Sequence, residues 1–186
     1  MSTPNQNPRN VVTGKCRLSY SHIFEAAAIN DVGDPKFSAC IIVSKNDTET
    51  LAKLKAAMEA AVAEGIKTKW KGKRPPNLKL PLRDGDTERP DDENFAGCYF
   101  LNANAKNRPG VVDLNLNPIL DTTEVYSGCY CRFAISFYPF SASGNNGVAV
   151  GLNNVQKVAD GTPLGGRNRA EVDFNDGYLD GIDDLL

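Results

Sequence analysis

Four lysines occupy every second position of one short segment, and the chain's single tryptophan lies among them. The segment contains Lys67, Lys69, Lys71 and Lys73, with Trp70 between them and Arg74 directly after. If it is a strand, alternate side chains point one way and the ammonium groups follow at intervals of about 6.6–6.8 Å. This interval is similar to the phosphate spacing of an extended single strand. Because lysines release counterions from phosphates and an indole stacks on an unpaired base, the segment is a candidate nucleic-acid site.

Two other interpretations of this segment stay open. Alternating lysines are a common device on exposed edge strands, where they prevent aggregation. In a mobile loop, the lysines and the indole would instead converge on one ligand. The pattern alone does not choose between these structures.

The second candidate site is the long alternating segment formed by residues 124–140. One face carries Cys129, Cys131, Phe133, Ile135 and Phe137, which is typical of a core face. The opposite face carries Tyr126, Gly128, Tyr130, Arg132, Ala134, Ser136 and Tyr138. Tyrosines that flank an arginine provide stacking planes and a phosphate partner, and each stacked base contributes about 1–3 kcal/mol. The alternative is a second apolar layer whose tyrosine hydroxyls reach solvent.

Tyr99 adds a further stacking plane if its neighbours Cys98 and Phe100 point inward. Alternation along a strand then directs the Tyr99 ring to the outside.

The last seventeen residues, 170–186, contain six carboxylates and neither lysine nor arginine. This segment buries too little apolar surface to offset its ordering entropy, so we expect a disordered acidic tail. Without these acids, residues 1–169 carry four more basic than acidic residues. Such a tail competes for a nucleic-acid site or recruits partners, through Asp173, Phe174, Asp176, Asp180, Asp183 and Asp184. A solubilising terminus without a partner is the alternative.

The elements that must position these residues are mainly strands. We predict strands at residues 15–20, 36–44, 95–104, 124–140 and within 147–158. Asn46 or Asp47 caps one amphipathic helix, which ends at Gly65. This order predicts a mainly β fold, a small barrel or sandwich with a helix between strands. The expected organisation is a flexible N-terminus (residues 1–12), one domain (13–169) and the tail.

The composition excludes several other classes of protein. No apolar run approaches the roughly 20 residues that cross a bilayer, and the N-terminus lacks the order of a signal peptide. The five cysteines are odd in number and irregularly spaced, which favours free buried thiols in a reducing compartment. With one histidine and no C-x-x-C pair, we expect neither a zinc site nor a cofactor.

Residue patterns typical of catalysis are also missing. His22 has no nucleophile partner in the sequence, and no phosphate-binding loop motif is present. A carboxylate cluster follows the lysine segment, formed by Asp84, Asp86, Glu88, Asp91, Asp92 and Glu93. Arg89 and Pro90 interrupt it, whereas a two-metal nuclease needs carboxylates held rigidly on several elements. We therefore expect no enzyme.

Four runs carry a resemblance to a known family: KFSACIIVSKNDTETLAKLKAA, RPGVVD, YSGCYCRFAISFYPF and GVAVGLNNVQKVADGTPLGG. Over about residues 14–166 the chain resembles a phage and prophage family of single-stranded DNA-binding proteins. The resemblance implies an oligonucleotide/oligosaccharide-binding (OB) barrel. It also implies kinship with the single-stranded DNA-binding proteins of lytic phages, which carry acidic C-terminal tails, and a role in protecting strands. The generic tail ends in a phenylalanine that docks partners, whereas this chain ends in Leu185 and Leu186.

Residues and resemblance together predict a non-enzymatic protein that binds single-stranded DNA without sequence preference, in replication or recombination in the host cytoplasm. Duplex DNA is a further candidate ligand. Phage or host replication proteins are candidate partners through the tail, and a homodimer is a candidate assembly. The alternatives are a phage structural or assembly protein and a metal-dependent nuclease.

Overall fold

The computed structural model describes residues 7–29 and 32–164. The expectations for residues 1–6 and for the acidic tail lie outside this part of the chain. The strands are β1 (Asn10–Val12), β2 (Cys16–Ile29), β3 (Val32–Ser44), β4 (Arg83–Asp84), β5 (Cys98–Ala105), β6 (Gly110–Val112), β7 (Tyr130–Ala142) and β8 (Asn145–Ala159). The helices are α1 (Thr48–Thr68), the one-turn α2 (Gly85–Glu88) and 3-10 turns at Glu93–Phe95 and Thr122–Glu124.

Five long strands close into a barrel. β2 pairs with β3, β3 with β5, β5 with β8, β8 with β7, and β7 returns to β2. All of these pairings are antiparallel except that of β5 with β8, where Asn104 lies opposite Gly151. This closed five-stranded barrel with one parallel seam is the OB fold, which confirms the expected fold class. The short strands β1, β4 and β6 extend the sheet beside β7, β5 and β8.

Strict alternation along β7 builds one wall of the core. Cys131, Phe133, Ile135 and Phe137 are each at most 1% exposed, whereas Arg132 and Tyr138 of the opposite face are exposed. The predicted inner and outer faces are therefore confirmed from Tyr130 to Tyr138, but the strand begins at Tyr130 and not at residue 124, so Tyr126 and Gly128 are not on its outer face. Since a period of two places alternate side chains on opposite faces, the sequence alone determines which β7 residues can meet a ligand.

Helix α1 packs against β7 and closes one side of the barrel. The Asp47 carboxylate accepts a hydrogen bond from the Thr50 backbone N–H at 3.2 Å, which confirms the predicted N-cap. The predicted end at Gly65 is wrong, because the helix continues to Thr68. Within residues 7–29 and 32–164, no helix is long and apolar enough to span a bilayer.

The start of the chain differs from the expected flexible N-terminus of residues 1–12. Residues 10–12 form β1, which pairs with β7 through Val11 opposite Ile135. Val11 is only 6% exposed and joins the main core. Burial of this side chain and the ladder hydrogen bonds stabilise the strand, although its sequence is too short to indicate one.

Gly65 lies inside the helix, and Trp70 packs so closely against it that no side chain would fit there. A Cβ at Gly65 would lie 2.6 Å from Cη2 and Cζ3 of Trp70 and 2.8 Å from Cβ of Pro139. The backbone N–H of Trp70 donates to the Gly65 carbonyl at 2.9 Å, so the chain folds back over the helix end. The indole is 6% exposed and packs in the main core.

We predict that Gly65→Ala destabilises the protein, although alanine is the better helix former. The added methyl would displace Trp70, at an expected loss of about 1–3 kcal/mol in the free energy of unfolding. Ala63→Gly, on the exposed side of the same helix, is the control and loses about 0.5–1 kcal/mol from backbone entropy alone. Urea unfolding measures both variants, and a more stable Gly65→Ala protein would contradict this packing.

Candidate nucleic-acid interface

A register row crosses the outer side of the barrel on four neighbouring strands. Arg17 of β2 lies opposite Ile42 of β3, Ile42 lies opposite Phe100 of β5, and Phe100 lies opposite Arg83 of β4. Ile42 and Phe100 form a second apolar cluster with Cys40 and Phe95, separate from the main core. The row therefore places a cation at each end of an apolar pair on the outer face.

Arginines cover the aromatic part of this cluster. The Arg83 guanidinium carbon lies 5.4 Å from the Phe100 ring centre, and that of Arg89 lies 5.7 Å from it and 5.6 Å from the Phe95 ring. Arg83 also pairs with Glu88 at 2.8 Å, which fixes its guanidinium over the ring. A guanidinium held over a ring remains able to contact a base or a phosphate on its other side.

The same outer face continues along β5 as an exposed polar groove. Asn102 and Asn104 point outward, since Leu101 and Ala103 between them belong to the main core. We define the outer-face groove by the basic and amide residues that line its two adjoining parts, Lys79, Arg83, Asn102, Asn104, Lys106 and Arg108. None of the described residues that line these two parts is acidic.

Tyr138 supplies an exposed ring beside this groove. It is 43% exposed on the outer face of β7, and its Cε1 lies 3.8 Å from the position of a Cβ at Gly151. Gly151 itself lies opposite Asn104 across the parallel seam. Because Gly151 has no side chain, the path from the tyrosine ring to the asparagine stays open.

The lysine segment follows α1 as a basic turn, which we define as residues 67–74. Lys67 is in the last helical turn, Lys69 is the C-cap residue, and Lys71 has a φ of 54° in a tight turn. The segment is therefore not a strand, one of the structures that the pattern left open, and the four lysines do not form a row on one face. Lys73 is exposed, and Arg74 pairs with Glu59 at 3.8 Å.

Trp70 is buried, which contradicts its assignment as a stacking residue. Its ring packs over Gly65, and its Nε1–H donates to the carbonyl oxygen of Phe140 at 3.2 Å. This bond ties the basic turn to the β7–β8 hairpin. The chain then runs beside the hairpin to Lys79, whose backbone N–H donates to the Asn146 carbonyl at 2.9 Å. Trp70 therefore positions the lysines next to the outer-face groove instead of contacting a base.

The predicted orientation of Tyr99 is also wrong. Phe100 points outward into the second cluster, so Tyr99 points to the other side and packs against the main core. The Lys45 and Lys55 ammonium groups lie 5.1 and 5.9 Å from its ring centre. Both faces of β5 are apolar here, which is why alternation alone gave no direction.

Tyr126, Tyr130 and Arg132 lie at the opposite end of the segment from Tyr138. Eight residues separate Tyr130 from Tyr138, or about 26 Å along a strand. The Tyr126 hydroxyl lies within hydrogen-bond distance of the Asp160 carboxylate and the Gly161 carbonyl, and its half-buried ring packs on the core. Arg132 is exposed, and its Nε–H donates to the Thr13 carbonyl at 3.1 Å. The structure does not bring these three residues to the outer-face groove.

Tyr130 is half-buried under two cations and a close backbone neighbour. Lys15 and Arg17 lie 5.2 and 5.9 Å from its ring centre. A Cβ at Gly161 would lie 2.9 Å from Tyr130 Cε2 and 2.2 Å from the Gly128 carbonyl oxygen. The ring is therefore packed against the chain that follows β8.

This following chain, residues 160–164, is fixed on the outer side of the barrel. Arg17 Nη2 donates to the Thr162 carbonyl at 2.7 Å, and the Leu164 N–H donates to Ser127 at 2.9 Å. The Leu164 side chain packs on the second apolar cluster, which contains Phe100. The acidic tail is thus connected to a residue on the face that also carries the arginines.

The carboxylates of the cluster at residues 84–93 have structural contacts. Lys45 Nζ lies 2.9 Å from Asp84 and 2.7 Å from Asp86, and this hydrogen-bonded lysine lowers the pKa of both carboxyl groups. Asp86 also accepts the Gly97 N–H, and Asp92 caps the 3-10 turn at Glu93–Phe95. Within the described residues, no group of three or more histidine, cysteine or carboxylate side chains is arranged to hold a metal ion.

All five cysteines are free thiols, and three of them meet in the barrel interior. Cys16 lies opposite Cys131 in the β2–β7 ladder, and the Cys129 and Cys131 sulfurs are 3.6 Å apart. The hydrogen bond from Cys131 lowers the pKa of Cys129 to about 7, whereas burial raises the pKa of Cys16 to about 12. These thiols pack inside the barrel, away from the outer-face groove.

Sequence reasoning missed most of the outer-face groove, although a signal was present. Asn102, Asn104, Lys106 and Arg108 recur at every second position, the period of one strand face. Lys79 and Arg83 belong to the same acid-free run as the lysine segment. This polar alternation along and after β5 indicated the groove. The alternating residues include no aromatic ring, however, whereas the rings of β7 made that strand a candidate site.

The chain matches a known sequence family over nearly its whole length. The family described as the single-stranded DNA-binding protein of Enterobacter phage Enc34 matches residues 9–186. A relative in Acyrthosiphon pisum secondary endosymbiont phage 1, named putative protein p50, is 31% identical over 182 residues, covering 91% of this chain and 95% of the relative.

Solved structures share the fold. The single-stranded DNA-binding protein of bacteriophage Enc34 in complex with single-stranded DNA is 23% identical, with a TM-score of 0.74 over 84% of this chain and 90% of that one. The single-stranded DNA-binding protein gp2.5 of bacteriophage T7 is 15% identical, with a TM-score of 0.58 over 91% and 97%. The closed OB barrel and the match over residues 9–186 lead to one conclusion: this chain belongs to the Enc34 family of phage single-stranded DNA-binding proteins.

Proposed function

We propose that this protein binds single-stranded DNA without sequence preference, through the outer-face groove and the adjoining basic turn, and that it performs no catalysis. The observation that carries the proposal is the groove lined by Lys79, Arg83, Lys106 and Arg108 beside the outer face of β3 and β5. These are the second and third strands of the barrel, the face with which OB folds bind oligonucleotides. It would act on phage DNA in the host cytoplasm, during replication or recombination.

Phosphates bind along a basic path that begins at the hairpin. Lys71 and Lys73 are exposed beside the β7–β8 hairpin, which is the loop between the fourth and fifth barrel strands. Lys79 and Arg83 continue the path onto β5, and Lys106 and Arg108 end it. The logarithm of the binding constant then falls linearly with the logarithm of the salt concentration, because each neutralised phosphate releases counterions.

Bases stack on the flat groups beside this path. The Tyr138 ring is exposed next to Gly151, and the Arg83 guanidinium lies over Phe100. Every base has a π face, so stacking on these groups carries little sequence information. Asn102 and Asn104 offer both donors and acceptors to base edges, and such groups accept any of the four bases.

The acidic tail competes with DNA for this face. Leu164 packs on the apolar cluster between Arg17 and Arg83, and the tail follows it within a few residues. Its carboxylates then reach the same arginines that bind phosphates. When DNA displaces the tail, the carboxylates become available to phage or host replication proteins.

We predict that Tyr138→Ala weakens binding to oligo-dT by about 1–3 kcal/mol, because one stacking plane is lost. Tyr138→Phe retains the ring and should bind within about two-fold of the original protein, because the stacking term persists without the hydroxyl. Fluorescence anisotropy with a labelled oligo-dT measures both variants. Equal losses in the two variants would show that the hydroxyl, not the ring, makes the contact.

We predict that Lys71→Ala and Lys73→Ala each reduce the slope of log K against log salt by about 0.7, as for the loss of one phosphate contact. Lys55→Ala is the control, since Lys55 lies twelve residues before Lys67 in α1, about 18 Å along the helix axis. Titrations at several salt concentrations give the slopes. Unchanged slopes in both variants would exclude the basic turn from the interface.

We predict that deletion of residues 170–186 strengthens binding at low salt and that the gain shrinks as salt rises, because the competition is electrostatic. A full-length variant with all six tail carboxylates changed to amides should bind like the deletion. This control separates charge from chain length. If the amide variant binds like the original protein, the tail does not compete through its charge.

A further inference from the structure

A rigid turn presents three leucines to solvent on the side of the barrel that carries β6. Leu114, Leu116 and Leu120 are 61%, 71% and 87% exposed, more than the other large apolar side chains of the described residues. We call the segment formed by residues 113–120 the leucine knuckle. Exposed apolar groups clustered in this way are typical of a protein–protein contact.

Hydrogen bonds hold the leucine knuckle in one shape. The Asp113 carboxylate accepts the backbone N–H groups of Asn115 and Asn117 at 2.8 and 3.0 Å. The Ile119 N–H donates to Val111 at 2.9 Å, and both of these side chains are 7% exposed. Leu116 has a φ of 67°, a conformation that costs a non-glycine residue of order 1 kcal/mol and persists only where the surroundings enforce it. The turn is thus preorganised, which reduces the entropy that a contact must overcome.

The leucine knuckle carries no cation of its own. The chain has no lysine or arginine between Arg108 and Arg132, whereas Asp113, Asp121 and Glu124 lie within this interval. The segment therefore offers a phosphate no basic partner from its own residues. An apolar groove with a cation at its edge is complementary to it.

This chain itself contains a groove of that kind, of about 730 Å³, between β1, α1 and the outer side of β7. Its apolar wall is formed by Pro8, Val12, Ala56 and Ala134, and Val12 is 49% exposed. The only charged residue that lines it, among those described, is Lys53. The ammonium of Lys53 has one distant partner, Glu49 at 3.7 Å on the same helix, and remains half exposed.

The groove and the leucine knuckle lie side by side in the sheet. Asn154 lines the groove, and it lies opposite Gly110 at the start of β6, three residues before the knuckle begins. Two copies that face each other across a two-fold axis can therefore exchange knuckles, so that each one enters the groove of the other. A self-complementary contact of this kind closes as a dimer, which is the commonest symmetry of soluble oligomers.

We propose that this protein forms a two-fold dimer in which the leucine knuckle of each copy occupies the groove between β1, α1 and β7 of the other. The apolar side chains of the knuckle cover Val12 and Ala56, and its carboxylates face Lys53. The contact uses residues outside the outer-face groove and the basic turn. It therefore leaves the proposed DNA-binding surface free, and it does not depend on the proposed function.

The test compares two disrupting variants with two matched controls by sedimentation velocity on the full chain. Leu116→Asp places a charge on the knuckle, and Ala56→Trp fills the groove. Each should raise the dimer dissociation constant by about ten-fold or more, as expected for central contact residues. Leu80→Asp and Ala142→Trp change exposed residues outside the two surfaces and should leave the dimer intact. Thermal unfolding confirms that all four variants fold.

A mixing experiment tests whether the two surfaces contact each other directly. Leu116→Asp retains an intact groove, and Ala56→Trp retains an intact knuckle. An equimolar mixture therefore restores one intact contact per dimer and should associate more tightly than either variant alone. A monomeric original protein, a dimer that survives both substitutions, or a mixture that associates no better than its components would each overturn the proposal.

Discussion

The parallel pairing of β5 with β8 is the constraint on which the proposed binding face depends. This seam closes the barrel, and its single register pair, Asn104 opposite Gly151, fixes which side chains of the two strands are neighbours. Closure removes the free edges that an open sheet would expose. It also makes the outer sides of β4, β5, β8 and β7 one continuous surface, which carries both Arg83 and Tyr138. Without closure, the cations beside β5 and the ring on β7 would belong to separate edges.

The sequence predicted those parts of the fold in which one face of an element is apolar and the other is polar. β7 is the clearest case, because Phe133 and Phe137 alternate with Arg132 and Tyr138 and only one register buries the phenylalanines. The Asp47 N-cap of α1 was equally predictable, because a short side chain with an acceptor oxygen before an amphipathic segment can accept a hydrogen bond from the first helical N–H groups. In both places local preference and burial agree, and the prediction was correct.

Prediction from the sequence failed where a strand is apolar on both faces and where a contact with a distant part of the chain determines the local conformation. Around Tyr99 the outer face of β5 is covered by Phe95 and Leu164, so the strand is apolar on both sides and its parity gives no direction. In the lysine segment, the period of two suited a strand, and a loop stayed open as the alternative. One contact at a distance, the indole of Trp70 on Gly65 and Pro139, instead turns the chain back over the helix. Packing of a single large ring outweighed four alternating charges, since solvated lysines impose almost no conformation on the backbone.

Charge divides the surface of the barrel into two regions with different partners. The acid-free stretch from residue 65 to residue 83 lies beside the β7–β8 hairpin and leads into the outer-face groove, whereas residues 109–131 contain acids and no cation. Positive charge makes the first region, and not the second, the proposed surface for a polyanion. On that proposal the second region stays accessible to protein while the first is covered by DNA. Leu114, Leu116 and Leu120 then lie outside the proposed DNA-binding surface, so their exposure does not conflict with DNA binding.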